Sequence, residues 1–450
     1  MYKSPDENRP PAAEILTIGD ELGRGEIVDT NTAWLAQQLT ELGLQVRYRS
    51  GTNDQLEDIC EALQRAACRA RVVVVSGGLG PTEDDITVEA ACALWRLPVV
   101  IDPAHEARLR SRFAERGVPL TPNNLRQLRV PQGAEVIENP VGLAPGFRLD
   151  LGPAACWFFP GVPRELRAMF TSVAARIREH GLAGAEAAVV LRRTFRVIGL
   201  GESHVDHRLR GMLDGLPADL LARQAQRPTL HFRLSFPEVL VTVVARSRDS
   251  VAARELLDSV GIEVRRRLGG AVYSEGEDDL PVVVGRKLAA RGETLAVAES
   301  CTGGLLGALV TAVPGSSAYF LGGVIAYADA VKQALLGVSA DTLARHGAVS
   351  EPCVRQMAEG VRHRLGAVWG AALSGIAGPT GGSVDKPVGT VHLALAGPTG
   401  TVARRMIWPG DRDQVRRIAA LAALNLLDRA LSPERAAPPE GGAAPGEERL

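Results

Sequence analysis

Apolar residues along this chain follow two rhythms. Short unbroken apolar runs alternate with longer stretches in which apolar positions recur every three or four residues. Ile15-Leu16-Thr17-Ile18, Val72 to Val75 and Cys156 to Phe159 are runs of the first kind. A strand that is apolar on both sides is what a parallel sheet, covered on both faces, requires. After the first run, Leu35, Leu39 and Leu42 share one face of a helix that begins near Thr30 or Asn31, either of which is able to cap it. Val46 opens a further strand. Strands alternating with helices predict a doubly wound α/β domain that closes near Phe170.

The rhythm changes over residues 188–270. Val189 to Ile198 predicts a strand and Glu202 to Leu213 a helix. Leu230–Phe236 and Val239–Ala245 predict an antiparallel pair, and Val251 to Leu268 a long helix. Pro217 and Pro228 mark the expected loop. This is a small α+β module. From Leu280 the α/β alternation returns: strands at Leu295–Ala298, Val324–Tyr327, Ala371–Leu373 and Thr390–Leu395, and helices at Leu305–Val310, 354–365 and Val415–Leu431. No internal repeat relates the two α/β parts. Residues 1–13 and 432–450, poor in apolar positions, are expected to be disordered tails.

Composition narrows the function classes. The 450 residues carry a net charge of −1, with 46% hydrophobic and 23% charged residues, a soluble globular balance. A chain that lives on nucleic-acid phosphates usually carries a basic excess, which this one lacks. Small anionic ligands need only a few placed donors. The six cysteines are spread out with no CxxC pair, which argues against a disulfide framework or a zinc site. Met1 to Pro11 has no apolar segment of the signal-peptide kind, and no apolar run reaches membrane-spanning length. A soluble, cytoplasmic protein is expected.

Candidate chemistry sits at strand ends. Glu299-Ser300-Cys301-Thr302-Gly303-Gly304 joins a strand to a helix. Open α/β sheets bind ligands at the carboxyl ends of their strands, and a helix start offers free N–H groups. A serine there is either a nucleophile in need of a base or a capping residue in a tight turn. Three further segments weigh on the choice: Leu321-Gly322-Gly323-Val324-Ile325-Ala326-Tyr327 followed by Lys332; Leu373-Ser374-Gly375-Ile376-Ala377-Gly378-Pro379 followed by Gly381-Gly382 and Lys386-Pro387-Val388-Gly389; and Gly410-Asp411-Arg412. Together these resemble the C-terminal domain of the CinA family, a nicotinamide mononucleotide (NMN) deamidase domain, over residues 280–431. The resemblance implies hydrolysis of NMN to nicotinic acid mononucleotide and ammonia without a cofactor. It puts the nucleophile at Ser300 and the proton-handling groups at Tyr327 and Lys332. Substrate contacts are implied at Thr302, Gly303, Gly304, Ser374, Gly375, Gly378 and Arg412, with Arg412 on the phosphate and backbone N–H groups of 302–304 holding the oxyanion. Ser374 stands where the family usually has threonine, which keeps a hydroxyl. Cys301 is the rival nucleophile.

The N-terminal part has its own glycine-rich strand end. Ser76-Gly77-Gly78-Leu79-Gly80-Pro81-Thr82-Glu83-Asp84-Asp85 follows the Val72–Val75 run, and Gly19-Asp20-Glu21-Leu22 follows the first. Glycines at a strand end suit backbone wrapping of a phosphate, and clustered carboxylates suit a hard divalent ion or an acidic helix start. With Pro122-Asn123-Asn124, Asn139-Pro140-Val141-Gly142 and Phe159-Pro160-Gly161-Val162-Pro163, these segments resemble the molybdopterin-binding fold as it occurs in full-length CinA proteins, over residues 14–172. That resemblance implies metal-dependent ADP-ribose pyrophosphatase activity, with Asp20, Asp84 and Asp85 as ligands of a divalent metal and potassium as a further cation. Pterin binding is the competing role. Ser76 replaces the usual threonine, and Gly23 a usual larger residue.

The middle module is similar to the family's KH-like module. It is rich in arginine, but Gly199-Leu200-Gly201-Glu202 is not the GxxG clamp of RNA-binding KH domains and sets an acid beside the phosphate position. A spacer or dimer contact is the expected role, with nucleic acid the rival partner. The expected architecture is thus a three-layer α/β domain, an α+β module and a second α/β domain. A homodimer acting on small nucleotides (NMN and ADP-ribose) is the expected assembly.

Overall fold

A computed structural model describes residues 12–115, 117, 119, 121–180, 182, 189–247 and 249–435. They form two compact units. One holds the residues up to Leu191 with Arg223–Gln226 and Arg246–Ala253; the other holds Arg192–Ala222, Arg227–Ala245 and the residues from Arg254 onward.

The first unit is built on strands β1 (Ala12–Ile18), β2 (Gln45–Thr52), β3 (Val72–Ser76), β4 (Val99–Ile101), β5 (Arg129–Pro131), β6 (Glu135–Ile137), β7 (Gly146–Leu151) and β8 (Ala154–Phe159). The main sheet runs β2-β1-β3-β8-β7-β6, and β4 pairs with β5 in a separate ribbon. β2, β1, β3 and β8 are parallel, whereas β7 and β6 return antiparallel. Both faces of β3 are buried, as its apolar run predicts. Val73 and Val75 pack with the Leu56–Arg69 and Thr87–Trp95 helices, and Val72 and Val74 with the Thr30–Glu41 and Pro163–Glu179 helices. The last of these carries the unit past Phe170 to Glu179. The cap of the Thr30–Glu41 helix is neither Thr30 nor Asn31. It is Asp29, whose carboxylate accepts the Thr32 amide at 2.8 Å. Asn31 is instead buried and turned into the cleft described below.

The middle module contributes β9 (Val189–Val197), β10 (Gln224–Ser235), β11 (Glu238–Ser247) and β12 (Val272–Glu275), in the order β10-β11-β9-β12. Pro228 lies inside β10, not in a loop. β10 is the edge of the sheet, where a residue without an N–H is tolerated. The predicted 202–213 helix ends at Leu209, because Gly211 takes a positive φ of 68° and a 3-10 turn follows.

The C-terminal sheet comprises β13 (Leu295–Glu299), β14 (Phe320–Ile325), β15 (Trp369–Gly375), β16 (Thr390–Gly397) and β17 (Gly400–Ile407), in the order β14-β13-β15-β16-β17. β14, β13 and β15 are parallel and the last two strands antiparallel. One face (Leu295, Val297, Leu373, Val391) packs on the Leu280–Arg291, Leu305–Thr311 and Arg412–Ala430 helices. The other face presents alanines 296, 298, 372, 394 and 396 to the Glu351–Leu365 helix. Small side chains let that helix come close: a Cβ added at Gly370 would lie 2.2 Å from the Ala358 carbonyl oxygen. Of the residues assigned by composition to tails, Ala12 and Ala13 belong to β1. Ser432 to Arg435 are ordered, with Arg435 buried and its guanidinium on the Gly270 carbonyl at 2.7 Å. Residues 1–11 and 436–450 lie outside the described residues. Among the described residues no helix is long and apolar enough to cross a membrane.

Candidate functional sites at two strand ends

β13 is central: the chain leaves it for β14 on one side and returns to β15 on the other. The crevice beside its carboxyl end is therefore a topological switch point. Ser300 is the first residue past β13. Its amide donates to the Leu373 carbonyl at 3.1 Å, which continues the β13–β15 register and sets Ser300 beside Ser374. On the other side the Ala326 amide donates to the Glu299 carbonyl at 2.7 Å, so Tyr327 follows immediately past this edge.

Glu299, which sequence reasoning passed over, organises the loop. Its buried carboxylate accepts the Thr302 hydroxyl at 2.6 Å and the amides of Gly304, Leu306 and Gly307 at 3.0, 3.1 and 2.8 Å. The side chain thus caps the Leu305–Thr311 helix from the preceding strand. This corrects the expectation that Gly304 offers an oxyanion N–H: that donor is occupied. The Gly303 amide is also used, on the Ser300 carbonyl at 3.1 Å. Among the described residues, the amides of Cys301 and Thr302 make no hydrogen bond to another residue, the Cys301 N–H meeting only its own thiol, and they are the donors left to this loop. Gly303 and Gly304 both take positive φ, 59° and 97°, which the tight turn requires.

The other expected residues gather unevenly. Lys332, on the Asp329–Leu336 helix, is buried, with its ammonium on the Tyr327 carbonyl at 3.0 Å and near Asp329 at 3.5 Å. The carbonyl it binds is two peptide units past the Ala326 amide that meets the end of β13. The Tyr327 ring is exposed, and its hydroxyl accepts from Arg412 at 3.3 Å rather than standing between Ser300 and Lys332. Arg412 also donates to the Gly378 carbonyl at 2.7 Å, tying the start of the last helix to the Gly375–Gly378 segment. A second guanidinium, unforeseen in sequence, joins it: Arg416 donates to the Thr302 carbonyl at 2.9 Å. Lys386 is held away on the His346 carbonyl at 2.8 Å. Burial pushes the Cys301 thiol up to about 11, so it stays protonated near neutrality and is a poor nucleophile.

In the N-terminal unit a cleft of about 710 Å³ opens over the carboxyl ends of β1, β3 and β8. The Ser76–Gly80 loop, Asp84, Asp85 and Asn31 line it, as do Asp54 and Glu165, which sequence reasoning missed. Asn31 donates to the Ser76 hydroxyl at 3.0 Å and the Gly161 carbonyl at 2.7 Å, while its own buried Oδ1 makes no hydrogen bond. Two of the three expected metal ligands are engaged with the chain. Asp20 accepts the Asp54 amide at 3.1 Å and pairs with Arg24, and Asp85 accepts the Thr82 amide at 2.9 Å. Asp84 remains exposed at the rim. Among the described residues no three His, Cys, Asp or Glu side chains are gathered as a complete metal shell. The charge balance nonetheless suits a cation. Burial first, and then the carboxylates of Asp20, Glu21 and Asp84, hold the Asp54 carboxyl above the usual range.

The middle module neutralises its own arginines. Arg193 pairs with Asp258, Arg196 with Glu238, Arg210 with Asp206, and Arg266 and Arg267 with Glu263.

Comparison with known proteins follows the same division. Residues 277–431 match the CinA C-terminal domain, 14–179 the probable molybdopterin binding domain, and 192–274 the damage-inducible protein CinA KH domain. A CinA-like protein of Anaeromyxobacter sp. (strain Fw109-5) is 46% identical over 94% of this chain and 100% of its own length. One from Parasynechococcus marenigrum is 42% identical over 92% of this chain and 96% of its own. A solved CinA superfamily protein of Klebsiella pneumoniae is 40% identical, covering 34% of this chain and 96% of that one, with a TM-score of 0.33.

Proposed function

Since the chain belongs to the CinA family, we propose that its C-terminal domain is a serine amidohydrolase that converts NMN to nicotinic acid mononucleotide and ammonia. The observation that supports this reading is that Ser300 opens the loop at the switch point past β13, while Tyr327, just past the neighbouring β14, holds both the buried Lys332 ammonium, through its carbonyl, and Arg412, through its hydroxyl.

Ser300 attacks the carboxamide carbon. Lys332, whose buried Nζ is positioned by the Tyr327 carbonyl and Asp329, acts as the base that takes the serine proton and returns it to the departing ammonia. The amides of Cys301 and Thr302 receive the oxyanion. Arg412, with Arg416 behind it, binds the phosphate, and Tyr327 holds Arg412 in place through its hydroxyl. Water then cleaves the acyl-enzyme. Replacing Ser300 by Ala abolishes ammonia release in this scheme; equal release from both proteins contradicts it.

A second activity is proposed for the N-terminal cleft, on the strength of the Asp54 carboxylate cluster: metal-dependent cleavage of a pyrophosphate such as ADP-ribose. A hard cation takes one or two carboxylates and completes its shell with substrate phosphate oxygens, so a full protein shell is not needed. Asp54, one of whose carboxylate oxygens accepts the Asp20 amide at 2.9 Å, and the exposed Asp84 would hold it. Bound there, the cation would neutralise charge on the phosphates. Release of AMP from ADP-ribose that needs added Mg²⁺ and is lost in Asp54→Asn tests this reading; release unchanged in that variant contradicts it.

A further inference from the structure

Among the described residues, three buried polar atoms on one face of the C-terminal sheet have no hydrogen bond: Ser374 Oγ, Thr390 Oγ1 and His392 Nδ1. Their residues are 1%, 0% and 9% exposed. Such orphans are uncommon in a folded interior, and each calls for a partner. They are also neighbours. Ser374 and His392 stand directly opposite each other in the β15–β16 pair, about 5 Å apart at Cα with side chains on the same face. That face is the one presenting Ala298, Ala372 and Ala394, and Ser300 follows Ala298 on it by alternation. Ser374 thus follows the same face beside Ser300, and a turn of the Ser374 or His392 side chain would bring Oγ and Nδ1, which are not bonded to each other here, into hydrogen-bond range.

We propose that His392 accepts the Ser374 hydroxyl proton at Nδ1, so that Ser374 meets the ligand only as an acceptor and favours a carboxamide NH₂ over a carboxylate. The inference rests on the deamidase reading of this site and adds to it a positioning residue that discriminates substrate from product. A hydroxyl has one proton. Committed to the imidazole, it leaves lone pairs facing the ligand. These attract the amide N–H of the substrate and repel the carboxylate of the product, which helps the product to leave.

The charged groups around the imidazole keep it neutral. Burial first, then Arg405 on β17 and Lys386 before β16, hold His392 below the ordinary histidine value, against the opposing pull of Glu351 at the start of the Glu351–Leu365 helix. Below that lowered value the ring gains a proton, and Nδ1–H then donates to Ser374. The serine proton turns toward the ligand, and the preference reverses in favour of the carboxylate.

The test is calorimetric titration of NMN and of nicotinic acid mononucleotide into Ser300→Ala protein, alone and with His392→Leu or His392→Asn, from about pH 5 to 7.5. In the Ser300→Ala parent the preference for the amide falls as the pH drops. His392→Leu removes about tenfold of that preference at pH 7.5 and flattens its pH dependence. His392→Asn, whose carbonyl oxygen takes the place of Nδ1 and does not titrate, keeps the preference to within about threefold, flat with pH. If the Leu protein does not fold, the Asn protein decides: the parent's pH dependence persisting in it overturns the proposal. So does a folded Leu variant with unchanged preference. A Ser300→Ala parent that binds neither nucleotide overturns the site reading together with this inference, whereas binding of both with unaltered variants overturns this inference alone.

Discussion

Glu299 receives four hydrogen bonds in a setting where sequence shows only a polar residue at the end of an apolar strand. Its partners are mostly backbone amides, which carry no signature in the sequence, so its capping role was not legible there. Glu299→Ala leaves a hydroxyl and three amides unpaired inside the fold, and a loss of about 3 kcal/mol or more in urea unfolding is expected. An unchanged midpoint would show that water replaces the carboxylate. Cys301 makes the opposite case. It neighbours Ser300 in sequence and could be proposed as nucleophile from residue type alone, yet its burial raises the thiol to about 11. Alkylation at pH 7.5 is therefore expected to leave ammonia release intact, and Cys301→Ser to retain it. His392 escaped sequence reasoning because it lies in an apolar strand outside the glycine-rich segments; only the β15–β16 register brings it opposite Ser374.

Long elements were readable and short ones were not. Val72–Val75 and the leucine face of the Thr30–Glu41 helix gave themselves away by unbroken apolarity and by spacing. β4, β5 and β6 are three residues each, too short for any period to register, so neither the β4–β5 ribbon nor the last strand of the first sheet was foreseen. Pro228 misled because proline marks a loop unless the strand is at an edge, and edge position is a property of the sheet. The Glu351–Leu365 helix was seen, but what it does for the site depends on close approach. A Cβ at Gly360 would fall 1.9 Å from the Leu336 carbonyl oxygen, at the end of the helix that carries Lys332. Gly360→Ala is expected to cost about 1–3 kcal/mol in stability, as overpacking does. It should also lower kcat for ammonia release by displacing Lys332. A variant as active and as stable as the wild type would mean that the two helices separate freely.

At the scale of the whole molecule, three family domains account for most of the chain, and their order was legible from the glycine-rich segments. The ends of the described chain were not. Ser432 to Arg435 look like the start of a polar tail, yet Arg435 is buried against Asp428, which also receives Lys287 at 2.7 Å. Removing Arg435 leaves the buried Asp428 with Lys287 alone and the Gly270 carbonyl without its donor, so Arg435→Ala is expected to lower stability by about 2–3 kcal/mol; a shift below about 0.5 kcal/mol, as at an exposed site, contradicts this. The arginines of the middle module are largely spent on neighbouring carboxylates. Binding to single-stranded DNA is accordingly expected to be absent or weak even at low salt, and tight binding that falls steeply with salt would restore nucleic acid as a partner. The central claim is the amidohydrolase at the end of β13, and the most direct measurement is ammonia release from NMN by the purified protein beside its Ser300→Ala variant. The account predicts release by the wild type and none by the variant. Release that persists in the variant, or none from the folded wild type, contradicts it.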